Sequence, residues 1–574
     1  MTTEEEPQEI RRLVVCCDGT NNTLTGGIED TNVLRLVRHL SLHPSERRIV
    51  YYDPGVGSQD SAPPTGLVDG VKREWDRISG LASGTGIFDN VAQGYLFLMR
   101  NWTGPQDRIY CFGFSRGAFT ARAIAGMVNL FGIVRPDHEA LLPMLVRIYF
   151  SASGKSTKRA DTAMRALRAL IQKKKGVTPA TGPSGDRESL GKDVRNMFAS
   201  PQGRDAWVHW VGVWDTVESV GLPGPLAQRI SSPATFHDKR IHHVRHALAL
   251  DEHRWTFEPR LYSEPGDVLT RNPDRSLKQR WFPGVHCDVG GGYRYEEIGL
   301  SEAALAWMID EVAVDLGVPG YTAPSPAPKA IRHDALWDTP WWALAGMCLR
   351  NMQPVVDGVE VKVIEIAPPA DPGTTVWTKK RTIWPVAAAI AAGIGCVIAS
   401  GAALTQETWW APSVHGASAL VVIDANFALD QLRALWGAGL LSPHSRPWEV
   451  AGQPAWAMFW DTSFIACYGY LLARVSSRSF AWMAGRRRAD SKLPGWRFLG
   501  FAPLMMVGGD LAENALLVAS LAFHAIGIDA FALAALWFGS LASVTKFVGL
   551  LACLPLILIR PIACLRWGTL FKAA

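Results

Sequence analysis

Between residue 13 and about residue 370 the chain alternates short apolar runs with longer amphipathic stretches, and no other feature restricts its fold so strongly. LVVCCDGT (Leu13 to Thr20) reads as a buried strand running into a glycine turn, and RIVYYDPGVG (Arg48 to Gly57) as a second strand closed by Pro54 and Gly55. Ile87 to Trp102 sets Ile87, Val91, Tyr95 and Leu98 on one helical face, and RIYCFGF (Arg108 to Phe114) returns to strand. AWVHWVGVWDT (Ala206 to Thr216) and the segment around WFPGVH (Trp281 to His286) repeat the pattern. Strands separated by helices predict an α/β fold with a doubly wound, mostly parallel sheet.

With 574 residues the chain exceeds what one core holds, since single cores rarely grow past about 250–300 residues. The composition is 48% hydrophobic and 19% charged, with 23 Trp, which is sparse in charge for a soluble enzyme. Most of that excess sits after a Pro- and Thr-rich stretch, so we expect a first domain over 11–370, a linker over 371–382 and a helical membrane domain over 383–574. Ile383 to Thr405, Ala455 to Ala473, Phe498 to Phe523 and Phe531 to Ile559 are each long enough to cross a hydrocarbon layer of roughly 30 Å, giving four spans. Lys379, Lys380 and Arg381 precede the first span, and Arg474, Arg478, Arg486, Arg487, Arg488, Lys492 and Arg497 follow the second. By the positive-inside rule both flanking domain and C-terminus face the cytoplasm of an inner membrane. Met1 to Arg12 has no apolar run and reads as no secretory signal. A fifth apolar stretch, Ala419 to Leu441, carries Asp424, Asn426, Asp430 and Arg433 and is not counted. Within the last hairpin Asp510 and Lys546 fall at similar depth, which predicts an ion pair inside the bundle, with Glu513 and Asn514 on the same face as Asp510.

A net charge of +5 gives no reason to expect a nucleic-acid partner. Cys16, Cys17, Cys111, Cys287, Cys348, Cys396, Cys467, Cys553 and Cys564 show no C-x-x-C pair and read as small hydrophobes in a reducing compartment. The basic insertion over 153–204, with Arg165, Arg168, Lys173, Lys174 and Lys175, has a plain reading as solvated surface and a sharper one as a lid that meets acidic headgroups.

The chemistry centres on Gly113-Phe114-Ser115-Arg116-Gly117, which follows an apolar strand and enters an Ala-rich helix without proline. A nucleophilic serine needs that strand-to-helix elbow, with Gly113 and Gly117 permitting close approach and the helix N-terminus placing positive partial charge beside an oxyanion. The fold is accordingly read as α/β-hydrolase-like. A base and an orienting carboxylate must follow, usually in the order Ser, Asp, His. Asp215 closes the strand of VGVWDT, and His286 lies in the glycine-rich FPGVHCDVGGGY. Asp251, His253, Asp288, His242, His243 and His246 compete for these roles, and Asp215 and His286 each have a structural alternative. The amides of Arg116 and of Gly19 or Thr20 are candidates for the oxyanion hole, and Asp18 reads as a turn former.

VVCCDGTNNT, TNVLRL, YYDPGVG, GFSRGAFTARAIAGM, VGVWDTVESVG, HALALDEHR and WFPGVHCDVGGGY, in that order over roughly residues 11 to 320, resemble the bacterial and fungal hydrolase-like domain family that includes the catalytic domain of type VI secretion phospholipase effectors. The resemblance implies a Ser115, Asp215 and His286 triad acting on lipid ester bonds, with no metal or organic cofactor. WDTSFIACYGYLLA and GGDLAENALL weakly resemble an anonymous bacterial integral-membrane module. The expectation is a membrane-resident serine hydrolase with a lipid substrate. The competing readings are a non-catalytic binding module on an anchor, and a carboxylesterase or thioesterase acting on soluble acyl substrates.

Overall fold

The computed structural model describes chiefly residues 10–19, 30–55, 85–150, 187–217, 240–262, 274–325, 327–338, 496–525 and 528–566, with short pieces between. The linker 371–382, the span 383–405, the uncounted stretch 419–441, most of 455–473 and residues 151–186 of the basic insertion lie outside the described residues. The chain divides into two compact units, one of residues 1–252, 256–334 and 350–376, the other of 253–255, 335–349 and 377–574.

In the first unit β1 (Arg11–Cys17), β2 (Arg48–Asp53), β3 (Asp107–Phe114), β4 (Val208–Trp214), β5 (Ile241–Ala249) and β6 (Ser276–Phe282) form a parallel sheet. A two-residue edge strand, β7 (Glu365–Ile366), extends it, and the order across the sheet is β7-β6-β5-β4-β3-β1-β2. The α/β class and the parallel sheet are as expected. The connections are helical: α1 (Asn32–Leu42), α2 (Thr85–Asn101), α3 (Arg116–Phe131), α4 (Leu142–Tyr149), α5 (Arg187–Phe198), the five-residue α6 (His286–Gly290) and α7 (Gly299–Leu316).

Strand periodicity explains the two cores. Leu13, Val15 and Cys17 of β1 join Ile109 and Cys111 in a core covered by α2, α3, α4 and α5. Val14 and Cys16 point the other way, joining Tyr110, Phe112 and α7 residues such as Met308 and Val312. Ile87, Val91, Tyr95 and Leu98 of α2 are buried together, as their spacing predicted. Strand β5, IHHVRHALA, was not read from the sequence because four polar side chains interrupt its apolar run.

In the second unit, α8 (Trp496–Ala525) and α9 (Asp529–Arg566) pack along each other. A Cβ on Gly509 would lie 2.7 Å from Lys546 N, and one on Gly549 would lie 2.4 Å from Met506 N, so glycine is required where the backbones meet. Lys546 Nζ donates to Asp510 Oδ1 at 2.7 Å and to Glu513 Oε2 at 3.0 Å, so the expected ion pair is present with a second carboxylate. The expected four-span bundle is not supported by the described residues. Among them one helical segment, Trp537–Leu554 of α9, is long and apolar enough to cross a membrane, with mean hydropathy 1.5. The segment expected to span over 498–523 forms a helix, but Asp510, Glu513 and Asn514 interrupt its apolar character midway.

Candidate active site

Because the large sheet is parallel, the carboxyl ends of its strands share one edge, and the sheet order reverses direction at β1, between β2 and β3. Crevices at such reversals are where open α/β sheets bind ligands. At the end of β3 the chain turns into α3 within two residues. A Cβ on Gly113 would meet Gly117 O at 2.3 Å, and one on Gly117 would meet Cys17 O at 2.2 Å, so both elbow positions exclude any side chain. Ser115 between them has φ 58° and ψ −123°. Among the described residues only Ser115 and Asp215, at φ 41°, are non-glycine with positive φ. Such strain persists only where surrounding structure imposes it, and it concentrates at reactive sites.

The register brings these two together. Phe114 and Trp214 are ladder partners, Ser115 N donates to Trp214 O at 3.1 Å, and Val217 N donates to Ser115 O at 3.4 Å. The turns carrying Ser115 and Asp215 are therefore bonded to each other on adjacent strand ends. His286 arrives from the next strand but one, at the first position of α6, where its N–H donates to Glu252 Oε2 at 3.2 Å. Its ring packs between Phe114 and Phe257, with centroids 4.5 and 4.9 Å away. Its Nδ1 lies 2.6 Å from Asp215 Oδ2.

Asp215 is fully buried and each of its oxygens is used. Oδ1 accepts from Ala249 N at 3.0 Å and from Arg350 Nη1, and Oδ2 accepts from Arg350 Nη2 at 2.9 Å and from His286. Burial opposes ionisation, but the Arg350 guanidinium and His286 outweigh it and hold this carboxyl well below the usual range. An ionised carboxylate can only accept, so Nδ1 carries the proton of the shared bond and the lone pair of the imidazole resides on Nε2. Arg350 also donates to Ala249 O at 2.7 Å and Phe257 O at 2.6 Å. Neither Arg350 nor Glu252 was anticipated from the sequence. Glu252 at least lies inside the HALALDEHR motif, whereas nothing around Arg350 marks it.

Residues of the remaining motifs bond to one another and to neighbouring elements. Asp18 Oδ1 accepts from Gly19 N at 2.7 Å, and its Oδ2 accepts from Thr31 Oγ1 at 2.6 Å and Tyr52 Oη at 2.9 Å, so it is a turn former as read. Thr31 also caps α1 through Leu34 N, and Asn32 Nδ2 donates to Val289 O at 2.9 Å and Ser301 O at 3.0 Å, tying α1 to the helix that carries His286. Arg116 is the first residue of α3, the position from which an amide can meet an oxyanion. Gly19 directs its N–H to Asp18, and Thr20 lies outside the described residues.

The competing residues have other partners. His246 is buried beneath the Asp215 turn, with Nε2 accepting from Thr216 N at 3.3 Å, and burial foremost pushes its pKa down to about 3. Asp251 accepts from Gly284 N and pairs with Arg332, while Asp288 caps α6 through Val285 N and bonds His333 Nδ1 at 2.6 Å. His253 belongs to the other compact unit. His242 and His243 begin β5 and so lie at the opposite end of the sheet.

Residues 11–311, just over half of the chain, match the family described as the T6SS phospholipase effector Tle1-like catalytic domain. An uncharacterized protein of Saccharomyces cerevisiae (strain ATCC 204508 / S288c) is 30% identical over 253 residues, covering 43% of this chain and 32% of that protein. The chain thus matches about a third of that relative's length. No solved structure matches it.

Proposed function

The chain belongs to the T6SS phospholipase effector Tle1-like catalytic-domain family, a phospholipase-type hydrolase family, and from that premise we propose that it is a serine hydrolase cleaving ester bonds of membrane phospholipids through Ser115, His286 and Asp215. The observation that carries this reading is the 2.6 Å Asp215–His286 bond beside a strained, glycine-flanked serine elbow. In the proposed reaction His286 Nε2 takes the proton of Ser115 Oγ as the oxygen attacks the ester carbonyl. Asp215 keeps Nδ1 protonated and stabilises the imidazolium, and the Arg116 amide receives the oxyanion. His286 then returns the proton to the departing alcohol, and water, deprotonated by the same ring, releases the acid. Gly19 or Thr20 supplies the second donor, and for Gly19 that requires its N–H to turn from Asp18.

We further propose that the C-terminal unit holds the enzyme at the cytoplasmic face of a membrane. Supporting this, Trp537, Leu541, Val544, Val548 and Leu551 of α9 are exposed at three- to four-residue spacing, an apolar stripe that water alone does not favour. Tethering raises the effective concentration of a lipid substrate.

The test is labelling of the purified chain by a fluorophosphonate, with product analysis on phospholipid vesicles and on short soluble esters. Labelling and phospholipid cleavage should vanish together in Ser115→Ala. Full activity in that variant refutes the nucleophile, and turnover of soluble esters alone refutes the lipid substrate. Release of the chain from membranes by alkaline carbonate refutes the anchor.

A further inference from the structure

A second group of side chains with chemical potential lies at the far end of the sheet, and the proposed hydrolysis makes no use of it. His209 is the second residue of β4, His243 the third of β5, and Asp315 stands in the last turn of α7. The ladder sets His243 opposite Trp210, one position from His209. One nitrogen from each imidazole and one oxygen of Asp315 lie within 4.8 Å of one another. His209 Nε2 is 3.4 Å from Asp315 Oδ1. That separation is close to the edge of a ligand tetrahedron around an ion with bonds of about 2.1 Å.

Two details favour a cation here. His209 Nε2 is buried and makes no hydrogen bond of good geometry among the described residues, Asp315 Oδ1 standing 3.4 Å away. His243 Nδ1 is 3.0 Å from Ser276 Oγ, which also accepts from Arg245 Nη1 at 2.9 Å. A hydroxyl has two lone pairs, so the second can accept the His243 Nδ1 proton, leaving the Nε2 lone pair for a metal and fixing the ring as outer partners of metal ligands do. Asp315 stands at the negative end of α7, where Arg12 Nε donates to its backbone oxygen at 2.6 Å. Arg108 Nη1 lies 3.5 Å from its Oδ1 and would compete with a bound ion.

We propose that His209, His243 and Asp315 form a binding site for a divalent transition ion of the zinc, cobalt or nickel type. Two imidazoles and one carboxylate suit such borderline ions, whereas calcium and magnesium call for mostly oxygen ligands. The ion would join the starts of two strands to α7. Five strand residues, roughly 16 Å, separate His209 from the Ser115 edge, so its role is to brace the fold rather than to touch substrate.

The test uses the untagged full-length chain, stripped with a chelator and titrated with Zn²⁺ or Ni²⁺ by calorimetry. One equivalent should bind and raise the melting temperature. His209→Ala and His243→Ala should each weaken binding by at least about 10-fold with unchanged circular dichroism, while Arg108→Gln, which removes the competing cation, should tighten it. Absence of stoichiometric binding, or unchanged affinity in the double histidine variant, overturns the proposal. If the variants do not fold, electron paramagnetic resonance of the Cu²⁺-loaded native chain decides. Coupling to two imidazole nitrogens is expected, and fewer overturns it.

Discussion

Replacing Arg350 with methionine removes a buried guanidinium that donates twice to Asp215 and once each to Ala249 O and Phe257 O. Methionine follows much the same path through the core, so the loss is electrostatic more than steric. What remains is a wholly buried carboxylate with two donors, Ala249 N and His286 Nδ1. Deleting one partner of such a pair costs about 3–5 kcal/mol, a large part of the roughly 5–15 kcal/mol that holds a domain together. The pH dependence has a definite sign. Burial alone raises the Asp215 pKa, and Arg350 is the strongest influence lowering it. In the native chain the depressed value contributes stability that is complete above the unfolded pKa of about 3.9 and is lost as pH falls through the folded value. Without Arg350 the folded pKa rises, so acid destabilisation and the acid limb of the activity profile both move to higher pH. Urea unfolding of the native chain, Arg350→Met, Asp215→Asn and the double variant measures the coupling, expected at about 2 kcal/mol or more. Arg350→Lys should rescue little, because an ammonium cannot reproduce the paired geometry. Additivity of the two substitutions within about 0.5 kcal/mol would refute the reasoning.

Gly117→Ala should prevent accumulation of folded protein, since its Cβ would meet backbone oxygens of Cys17 and Asp18 at 2.2 and 2.3 Å; a soluble variant with a native melting temperature contradicts this. Lys546→Met leaves Asp510 and Glu513 facing each other without their cation, and should destabilise the helix pair. Adding Asp510→Asn and Glu513→Gln should recover most of that loss in a thermal melt, and failure to recover argues that the lysine acts elsewhere. Burial pushes the Cys111 thiol up to about 12, so native protein should resist iodoacetamide at that residue near pH 8 and react once unfolded. Alkylation of Cys111 in the folded chain, read by mass spectrometry, would be the contrary result.

Much of the sheet was legible because β1 and β3 are nearly uninterrupted apolar runs and because glycines mark their ends. Ser115 and Asp215 could be singled out since each closes such a run. Strand β5 escaped notice because His242, His243, Arg245 and His246 mask its period, even though Val244, Ala247, Leu248 and Ala249 are buried at the centre of the sheet. Arg350 escaped for a different reason. Its partners are 93 to 135 residues away along the chain, and no local pattern encodes a contact of that range. The Asp510–Lys546 pair was readable because a charge inside an apolar helix needs a partner at matching depth. Over 498–559 hydropathy marked two spans, whereas among the described residues one helical segment, Trp537–Leu554, is long and apolar enough to cross a membrane.

The ladder pairing of Phe114 with Trp214 has an evolutionary consequence. Spacing between the serine and aspartate turns is set by hydrogen bonds of the sheet lattice, which the intervening chain enters only as a connection. The chain between the two turns can therefore lengthen, shorten or be exchanged between lineages without moving one turn against the other. A lineage could rewrite that connection while the Ser115 and Asp215 turns stay in register.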